Sequence, residues 1–216
     1  MLFNLVLEKV KRSIDETQGG INLGNVNVQT LAYADDVDVI GEEIEQVKEI
    51  YNSYKAAAQQ VGLAVNESKT KVMRMLREEE QNIIQQEHIE GVEKVTEFKY
   101  LGSTLTSRND MKKEIMARIA AGNRCLYSLL TIIKKRGISR ATKLKIYNSI
   151  IRPVTTYGCE TWTLTKQLSK KLTAFENSIL RRITGPIFDE EENRWRRRRN
   201  DELREISGQG YINVTL

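Results

Sequence analysis

Residues 29–40 read QTLAYADDVDVI, and this stretch decides how the first part of the chain folds. Two adjacent carboxylates, Asp35 and Asp36, interrupt an otherwise apolar run. The three residues that follow alternate apolar, polar and apolar, which is typical of a half-buried strand. The pattern predicts a β-hairpin with the acidic pair at its turn. We expect Asp38 on the opposite strand face, outside the site formed by the pair.

The acidic pair has two interpretations. Two carboxylates at a turn between apolar strands carry fixed negative charge, and this charge must be solvated by water or bound by a cation. Mg²⁺ prefers a few carboxylates together with waters and substrate phosphates, so Asp35 and Asp36 are candidate metal ligands. The alternative is structural, because Asp favours turns by bonding its own backbone. The dipeptide alone leaves both open.

The composition is typical of a globular protein. The chain has 216 residues, of which 40% are hydrophobic and 29% charged, which excludes a disordered chain. This length suits one large domain or two small ones. No apolar run is long enough to span a bilayer, and the first residues lack the pattern of a signal peptide. We therefore expect an intracellular protein of the nucleus or cytoplasm, neither secreted nor bound to a membrane.

Cysteine and histidine are too few for several kinds of site. Cys125 and Cys159 are the only cysteines, and His88 is the only histidine. This excludes a zinc site of the usual Cys/His type and any disulfide framework beyond one bridge. It also weakens a Ser-His-Asp or Cys-His hydrolase, because His88 lies in a charged stretch without a nucleophile motif.

The net charge of +5 is unevenly distributed. Acidic residues gather at 78–80 and 189–192, whereas basic residues gather at 134–136, 181–182 and 194–199. A basic second half predicts a polyanionic partner.

The run Arg194–Arg199 has two interpretations, and the sequence favours neither. It is either a nucleic-acid contact or nuclear import signal, or a solvated helix face paired with the acidic residues 189–192. Three aromatic residues in the same half, Tyr127, Tyr147 and Trp162, are expected in packing rather than as platforms for base stacking.

The periodicity divides the chain near Thr106. Residues 1–106 are expected to form an α+β unit, 107–186 a helical bundle and 187–216 a charged tail. The predicted elements of the α+β unit are a helix that ends before Gly19, a strand region over 21–28, the acidic hairpin, a helix over 42–61 ended by Gly62, a strand over 63–65, a solvated acidic segment over 77–86 and a β-rich stretch over 95–105. The predicted helices of the bundle are 109–135, one capped by Ser139 and broken or kinked at Pro153, and one capped by Thr165 and stopped at Gly185.

Four stretches in this order carry a family resemblance. The chain resembles the reverse transcriptase of non-LTR retrotransposons of the animal endonuclease–reverse transcriptase type. Residues 33–36 resemble the catalytic C motif, and residues 42–71 the D motif. Residues 98–103 are similar to the E motif, or primer grip, and residues 151–203 to the thumb. Four ordered matches are more specific than one short motif.

The resemblance implies a fold, an activity and partners. The fold is α+β: a partial palm, with an antiparallel β-sheet and helices, followed by an all-α thumb-like bundle. The activity is RNA-directed DNA polymerisation through two-metal nucleotidyl transfer, with Mg²⁺, or Mn²⁺ in its place, as cofactor. The implied partners are an RNA template and a DNA primer.

The resemblance also assigns residues. Asp35 and Asp36 are the implied metal ligands and catalytic residues. Lys69 is the D-motif lysine that would protonate pyrophosphate, although an exposed lysine near template phosphate is an equal alternative. The candidate nucleic-acid contacts are Tyr33 at the hairpin, Tyr100, Leu101 and Gly102 in the primer grip, and the basic residues Lys134, Lys135 and Arg136.

One departure from the family changes the expectation for activity. The family also uses an A-motif aspartate and a B-motif loop upstream of the C motif, and residues 1–8 resemble the helix after that loop. Asp15 is the only aspartate before the hairpin and lies in a polar helix end. We therefore expect weak Mg²⁺ binding and no polymerisation by this chain alone, with an upstream polymerase half needed. The alternatives are a non-catalytic nucleic-acid-binding remnant or a domesticated helical adaptor.

Overall fold

The computed structural model describes residues 2–12, 14, 19–75 and 89–208. Its Cα positions group into two compact units, an N-terminal unit (Met1–Phe98) and a C-terminal unit (Lys99–Leu216). Helices and small two-stranded sheets alternate along the chain, so the fold class is α+β, as the sequence predicts. Asp15, His88 and the acidic segment over 77–86 lie outside the described residues.

The N-terminal unit combines two helices with short strands. Its elements are α1 (Leu2–Arg12), β1 (Ile21–Leu23), β2 (Val26–Val28), β3 (Thr30–Tyr33), β4 (Asp36–Val39), α2 (Ile44–Gln60), β5 (Lys71–Val72) and β6 (Glu93–Lys94). The strands pair in twos: β1 with β2 and β3 with β4 antiparallel, and β5 with β6 parallel. The strands of this unit therefore form separate ribbons, whereas the resemblance implied one antiparallel sheet.

Apolar side chains from α1 and α2 form the core of this unit. Val10 and Tyr54 are buried together, and Val37 of β4 packs against them. The alternation of β4 thus directs one of its faces toward the helices and leaves the acidic tip of the hairpin in solvent.

The end of α2 explains why one predicted strand does not form. Gly62 adopts a φ of +77°, the left-handed conformation that closes a helix. The N–H of Leu63 then donates to the carbonyl of Ala58 at 2.9 Å. Residues 63–65, predicted as a strand, are irregular because this capping bond takes a donor that a strand ladder would need.

The C-terminal unit is mostly helical. The strand β7 (Glu97–Tyr100) lies at the division between the units and pairs with β8. The other elements are β8 (Ser103–Thr106), α3 (Met111–Ser128), α4 (Leu130–Lys134), α5 (Arg140–Ile146), a π-helical turn (Tyr147–Ile151), α6 (Arg152–Thr156), a 3₁₀ turn (Cys159–Thr161), α7 (Lys166–Thr184), β9 (Ile187–Asp189), β10 (Arg194–Arg196) and α8 (Asn200–Ser207).

Helix boundaries follow the predicted caps with two differences. Ser139 accepts from the N–H of Thr142, and Thr165 accepts from that of Leu168, as expected for N-caps. The predicted helix over 109–135 is instead interrupted at Leu129, between α3 and α4. The second difference is a π-helical turn that ends just before α6, which has Pro153 in its first turn. Proline has no N–H to donate, so the regular ladder of helical hydrogen bonds is interrupted there.

The core of the C-terminal unit is built around α7. Leu172 and Ile179 are fully buried on its inner face. Helices α3 and α6 approach α7 closely at Gly122, where an added Cβ would lie 2.4 Å from Oγ1 of Thr155 and 2.7 Å from Cζ of Phe175. This position therefore requires glycine for packing rather than for backbone freedom.

The charged C-terminal segment is folded through residue 208. Strands β9 and β10 form an antiparallel hairpin, and α8 buries Leu203 completely in the core of the unit. Tyr147, also fully buried, donates from its hydroxyl to Glu176 at 2.7 Å. Cys125 and Cys159 are free thiols. No helix in the described ranges has the length and apolarity to cross a bilayer.

Candidate functional site

The acidic hairpin forms as the sequence predicts. Strands β3 and β4 pair with Tyr33 opposite Asp36, which leaves Ala34 and Asp35 as a two-residue turn. Ala34 has a φ of +55°, a left-handed conformation that costs an alanine about 1 kcal/mol or more. The rest of the hairpin holds this turn, so the position of Asp35 is set by strand pairing.

The hairpin tip is accessible to solvent. Asp35 and Asp36 are both exposed, and Tyr33 is 66% exposed. Such carboxylates are available to a cation or to nucleic-acid-bound metal without further opening of the structure.

Asp38 belongs to the same face as Asp36, which corrects the expectation from sequence. Side chains two apart on a strand point to the same side, and both residues lie in β4. Val37, between them, faces the core. The two-residue spacing in the sequence already carried this signal.

The donor set of the hairpin suits a hard divalent cation. The carboxylates of Asp35, Asp36 and Asp38 supply only oxygen ligands, which Mg²⁺ and Mn²⁺ prefer over nitrogen or sulfur. Within residues 2–12, 14, 19–75 and 89–208, no cluster of three or more His, Cys, Asp or Glu is arranged to hold a metal. The hairpin alone therefore fits one side of a metal site.

Lys69 lies in the turn after α2. The carbonyl of Asn66 accepts from the N–H groups of Lys69 at 3.1 Å and Thr70 at 3.0 Å. The flanking residues form ion pairs, Glu67 with Lys55 and Lys71 with Glu93 at 2.5 Å. Lys69 itself is exposed. Lys69 and the acidic pair thus lie on separate elements. No ion pair joins Lys69 to Asp35 or Asp36 in the described part of the chain.

The hairpin of β7 and β8 has a tight turn at its tip. Leu101 and Gly102 both have positive φ, +44° and +84°. Two such residues in a row form the type I′ turn that matches the twist of paired strands. The strained residue is Leu101, because its Cβ is disfavoured in this conformation.

Tyr157 and Arg118 hold this turn. The hydroxyl of Tyr157 donates to the carbonyl of Leu101 at 2.8 Å, and Nη2 of Arg118 donates to the carbonyl of Gly102 at 2.6 Å. The guanidinium of Arg118 also lies 4.6 Å from the centroid of the Tyr157 ring. The two carbonyls at the turn are therefore tied to two side chains that contact each other.

Glu114 fixes a further residue of the same hairpin, Thr104 in β8. Its carboxylate is buried and accepts from the N–H of Thr104 at 2.7 Å and from Nε of Arg118 at 2.5 Å. Sequence reasoning missed Glu114, Arg118 and Tyr157. The available signal was the i,i+4 spacing of Glu114 and Arg118 at the start of the helix that follows the hairpin.

The basic residues of the loop after α4 are exposed. Lys134 ends α4, and Lys135 and Arg136 follow it. Positive charge near a helix C-terminus is favourable, so their placement also has a structural role.

The three aromatic residues of the second half, Tyr127, Tyr147 and Trp162, differ in their exposure to solvent. Tyr147 and Trp162 are buried, as expected, whereas Tyr127 is 63% exposed and the expectation for it was wrong. Its ring lies 6.0 Å from the guanidinium of Arg182.

The run Arg194–Arg199 lies in β10 and the loop before α8, not on a helix. Arg196 pairs with Asp189 and with Glu202, both at 2.6 Å. Hydrogen bonds from Arg196 lower the pKa of both carboxyls. Arg194 pairs with Glu192 at 2.5 Å. Pairing with acidic residues therefore accounts for two of these arginines.

The hairpin lies within a stretch of the chain that is similar to known proteins. Residues 1–105 match the family model of reverse transcriptase (RNA-dependent DNA polymerase). Over 174 residues the chain is 26% identical to a transposon-derived protein of Caenorhabditis elegans, an alignment that covers 78% of this chain and 61% of that protein. No solved structure matches the chain. The similarity to reverse transcriptases therefore covers just under half of the chain, and the longer alignment spans less than two thirds of a transposon-derived protein.

Proposed function

We propose that this chain is part of the RNA-directed DNA polymerase of a non-LTR retrotransposon. The observation that carries the proposal is the hairpin that presents Asp35 and Asp36 at an exposed tip, inside the stretch that matches the reverse transcriptase family. In this proposal residues 1–106 are palm, residues 107–186 are thumb-like, and residues 187–216 are a C-terminal extension. The substrates are an RNA template and a DNA primer, in the nucleus or cytoplasm.

The carboxylates of the hairpin would hold the metal. Asp35 and Asp36 are the proposed ligands of Mg²⁺, or of Mn²⁺ in its place, and Asp38 adds negative charge on the face of Asp36. When bound, the metal supplies Lewis-acid activation of the primer hydroxyl and charge stabilisation of the phosphates. Lys69, exposed and positively charged, holds a proton at Nζ for the leaving pyrophosphate.

The remaining site residues would position nucleic acid. Tyr100, Leu101 and Gly102 form the tip of the β7–β8 hairpin, where glycine allows a backbone to approach closely. The contacts from Arg118 and Tyr157 support a fixed position for this tip. Tyr33 would lie beside the primer end. Lys134, Lys135 and Arg136 would contact phosphates, which are the main targets of basic side chains in such complexes.

We further propose that the 216-residue polypeptide does not polymerise by itself. The supporting observation is that no group of three or more His, Cys, Asp or Glu side chains among the described residues is arranged to hold a metal, the hairpin carboxylates included. An additional aspartate from an upstream polymerase half would complete the site. Labelled nucleotide incorporation on a primed RNA template with Mg²⁺ is expected to be absent. Incorporation that disappears in Asp35→Asn would contradict this.

The metal site itself is tested by paramagnetic relaxation. Mn²⁺ added to the ¹⁵N-labelled protein is expected to broaden the amide signals of residues 33–38 before other signals, and Asp35→Asn with Asp36→Asn should remove the effect. A matched control is Glu45→Gln with Glu49→Gln, two exposed carboxylates on α2. Broadening that survives the aspartate substitutions would reject the hairpin as the metal site.

A second candidate function is nucleic-acid binding without catalysis, as a remnant or a domesticated adaptor. The exposed basic residues 134–136 favour it, because phosphate contacts need no metal. Filter binding of a template–primer duplex across a salt series, with and without EDTA, separates the two. Affinity that falls with salt but is unchanged by EDTA supports the binding module. Affinity that needs Mg²⁺ supports the polymerase.

A further inference from the structure

The C-terminal unit contains a cleft of about 480 Å³ beside the end of α7. Its walls are the last turns of α7 with the Gly185-Pro186 stop, and the segment Trp195–Arg198. Five arginines line it, and its described lining includes no acidic residue.

Two of these arginines build the cleft. Arg181 donates from Nε to the carbonyl of Arg198 at 3.1 Å and from Nη2 to Oδ1 of Asn200 at 2.5 Å. Arg196 is held between Asp189 and Glu202. Both side chains therefore tie the wall Trp195–Arg198 to neighbouring elements and keep its shape.

The other three arginines supply positive charge. Arg182 and Arg197 are exposed, and no ion pair involves either of them within the described ranges. Arg198 is half-buried, and its buried Nε has no hydrogen-bond partner among the described atoms. Arg182 also lies over the exposed Tyr127 ring. A polyanion that entered the cleft would meet the positive charges of Arg182 and Arg197, which no ion pair within the described ranges neutralises.

Trp195 adds an aromatic surface at the same place. The residue is 68% exposed, which is unusual for a tryptophan. It pairs across the β9–β10 hairpin with Phe188, edge to face, with ring centroids 5.5 Å apart. This contact steadies the indole and leaves most of it in solvent.

We propose that this cleft binds single-stranded nucleic acid. A base would stack on the indole of Trp195, and Arg182 and Arg197 would contact the flanking phosphates. Arginines beside an exposed aromatic ring form the combination that holds single strands, because phosphates and base faces recur along them. An acidic peptide would use the arginines but not the flat indole. The site lies in the C-terminal unit and does not depend on the polymerase proposal.

Tryptophan emission and binding of labelled oligo-dT test the proposal without metal or nucleotides. Saturating oligo-dT is expected to quench the emission of exposed Trp195, whereas Trp162 is buried. Trp195→Ala should weaken binding about tenfold, and Trp195→Phe should retain most of it. Arg182→Gln with Arg197→Gln should reduce the slope of log affinity against log salt by about 1.4, the value for two single-strand phosphate contacts.

The matched control is Arg124→Gln with Arg140→Gln, which removes the same charge from exposed positions elsewhere in the unit. It should leave affinity within about twofold. An equal loss in this control and in the cleft variant would overturn the proposal. Emission unchanged by saturating oligo-dT, or tighter binding of poly-glutamate at the same salt, would also overturn it.

Discussion

The hydroxyl of Tyr157 donates a 2.8 Å hydrogen bond to the carbonyl of Leu101, 56 residues earlier in the chain. Leu101 is in a left-handed conformation at the tip of the β7–β8 hairpin, and Tyr157 directly follows α6. This bond and the Arg118 contacts compensate for the strain in the turn. The conformation of the hairpin tip is thus a property of the helical unit rather than of the hairpin sequence alone.

Tyr157→Phe is expected to remove this hydrogen bond and keep the ring beneath Arg118. The loss should reduce the free energy of unfolding by about 0.5–1.5 kcal/mol, the usual net value of one hydrogen bond. Urea denaturation followed by circular dichroism measures it. The exposed Tyr127 offers a control, and Tyr127→Phe should change stability by less than about 0.5 kcal/mol. Equal effects of the two substitutions would contradict the role given to the Tyr157 hydroxyl.

Glu114→Gln is expected to destabilise the protein more strongly. The substitution leaves the largely buried Arg118 without its carboxylate partner, and breaking a buried pair costs about 3–5 kcal/mol. Equilibrium denaturation of the single variant and of the Glu114→Gln, Arg118→Met double variant measures the coupling. We expect the double variant to be less destabilised than the sum of the two single variants. Additive effects would show that the pair is not coupled.

Gly122→Ala tests the close approach of α3, α6 and α7. The new methyl group would overlap Thr155 and the ring of Phe175, so we expect a loss of about 1–3 kcal/mol in the free energy of unfolding. Gly137→Ala is the matched control, because an added Cβ there meets no atom within 4 Å. Thermal melting should show a lower Tm for Gly122→Ala alone. A Tm unchanged by this substitution would mean that the helices move apart without loss of stability, and it would contradict the requirement for glycine at this position.

The C-terminal hairpin and α8 should loosen in acid. Arg196 lowers the folded-state pKa of Asp189 and of Glu202, so their contribution to stability is present above the unfolded pKa values near 4. It is lost as the pH falls through the lower folded-state values. Trp195, next to Arg196, reports this as a change in emission between about pH 5 and pH 2. Arg196→Gln should shift the change to higher pH, and an unshifted midpoint would contradict the linkage.

Local sequence was enough for the acidic hairpin and most helices. Residues 29–40 predicted strand, turn and strand because the apolar alternation and the paired aspartates depend only on neighbours in the chain. The caps Ser139 and Thr165 were predictable for the same reason, since a cap bonds backbone within its own first turn. The same local rule, read at two-residue spacing, would also have placed Asp38 on the face of Asp36.

Tertiary structure decided what distant residues do to one another. Glu114, Arg118 and Tyr157 meet the β7–β8 turn only after α3 and α6 pack, so no window of sequence showed that contact. The run Arg194–Arg199 looked uniform in sequence, yet folding paired Arg196 with two carboxylates and left Arg197 exposed at a cleft. Charge and exposure depend on which elements pack together, whereas turns and caps depend on local backbone chemistry. That difference is why the sequence by itself determined the acidic hairpin, and only the folded chain determined the contacts around it.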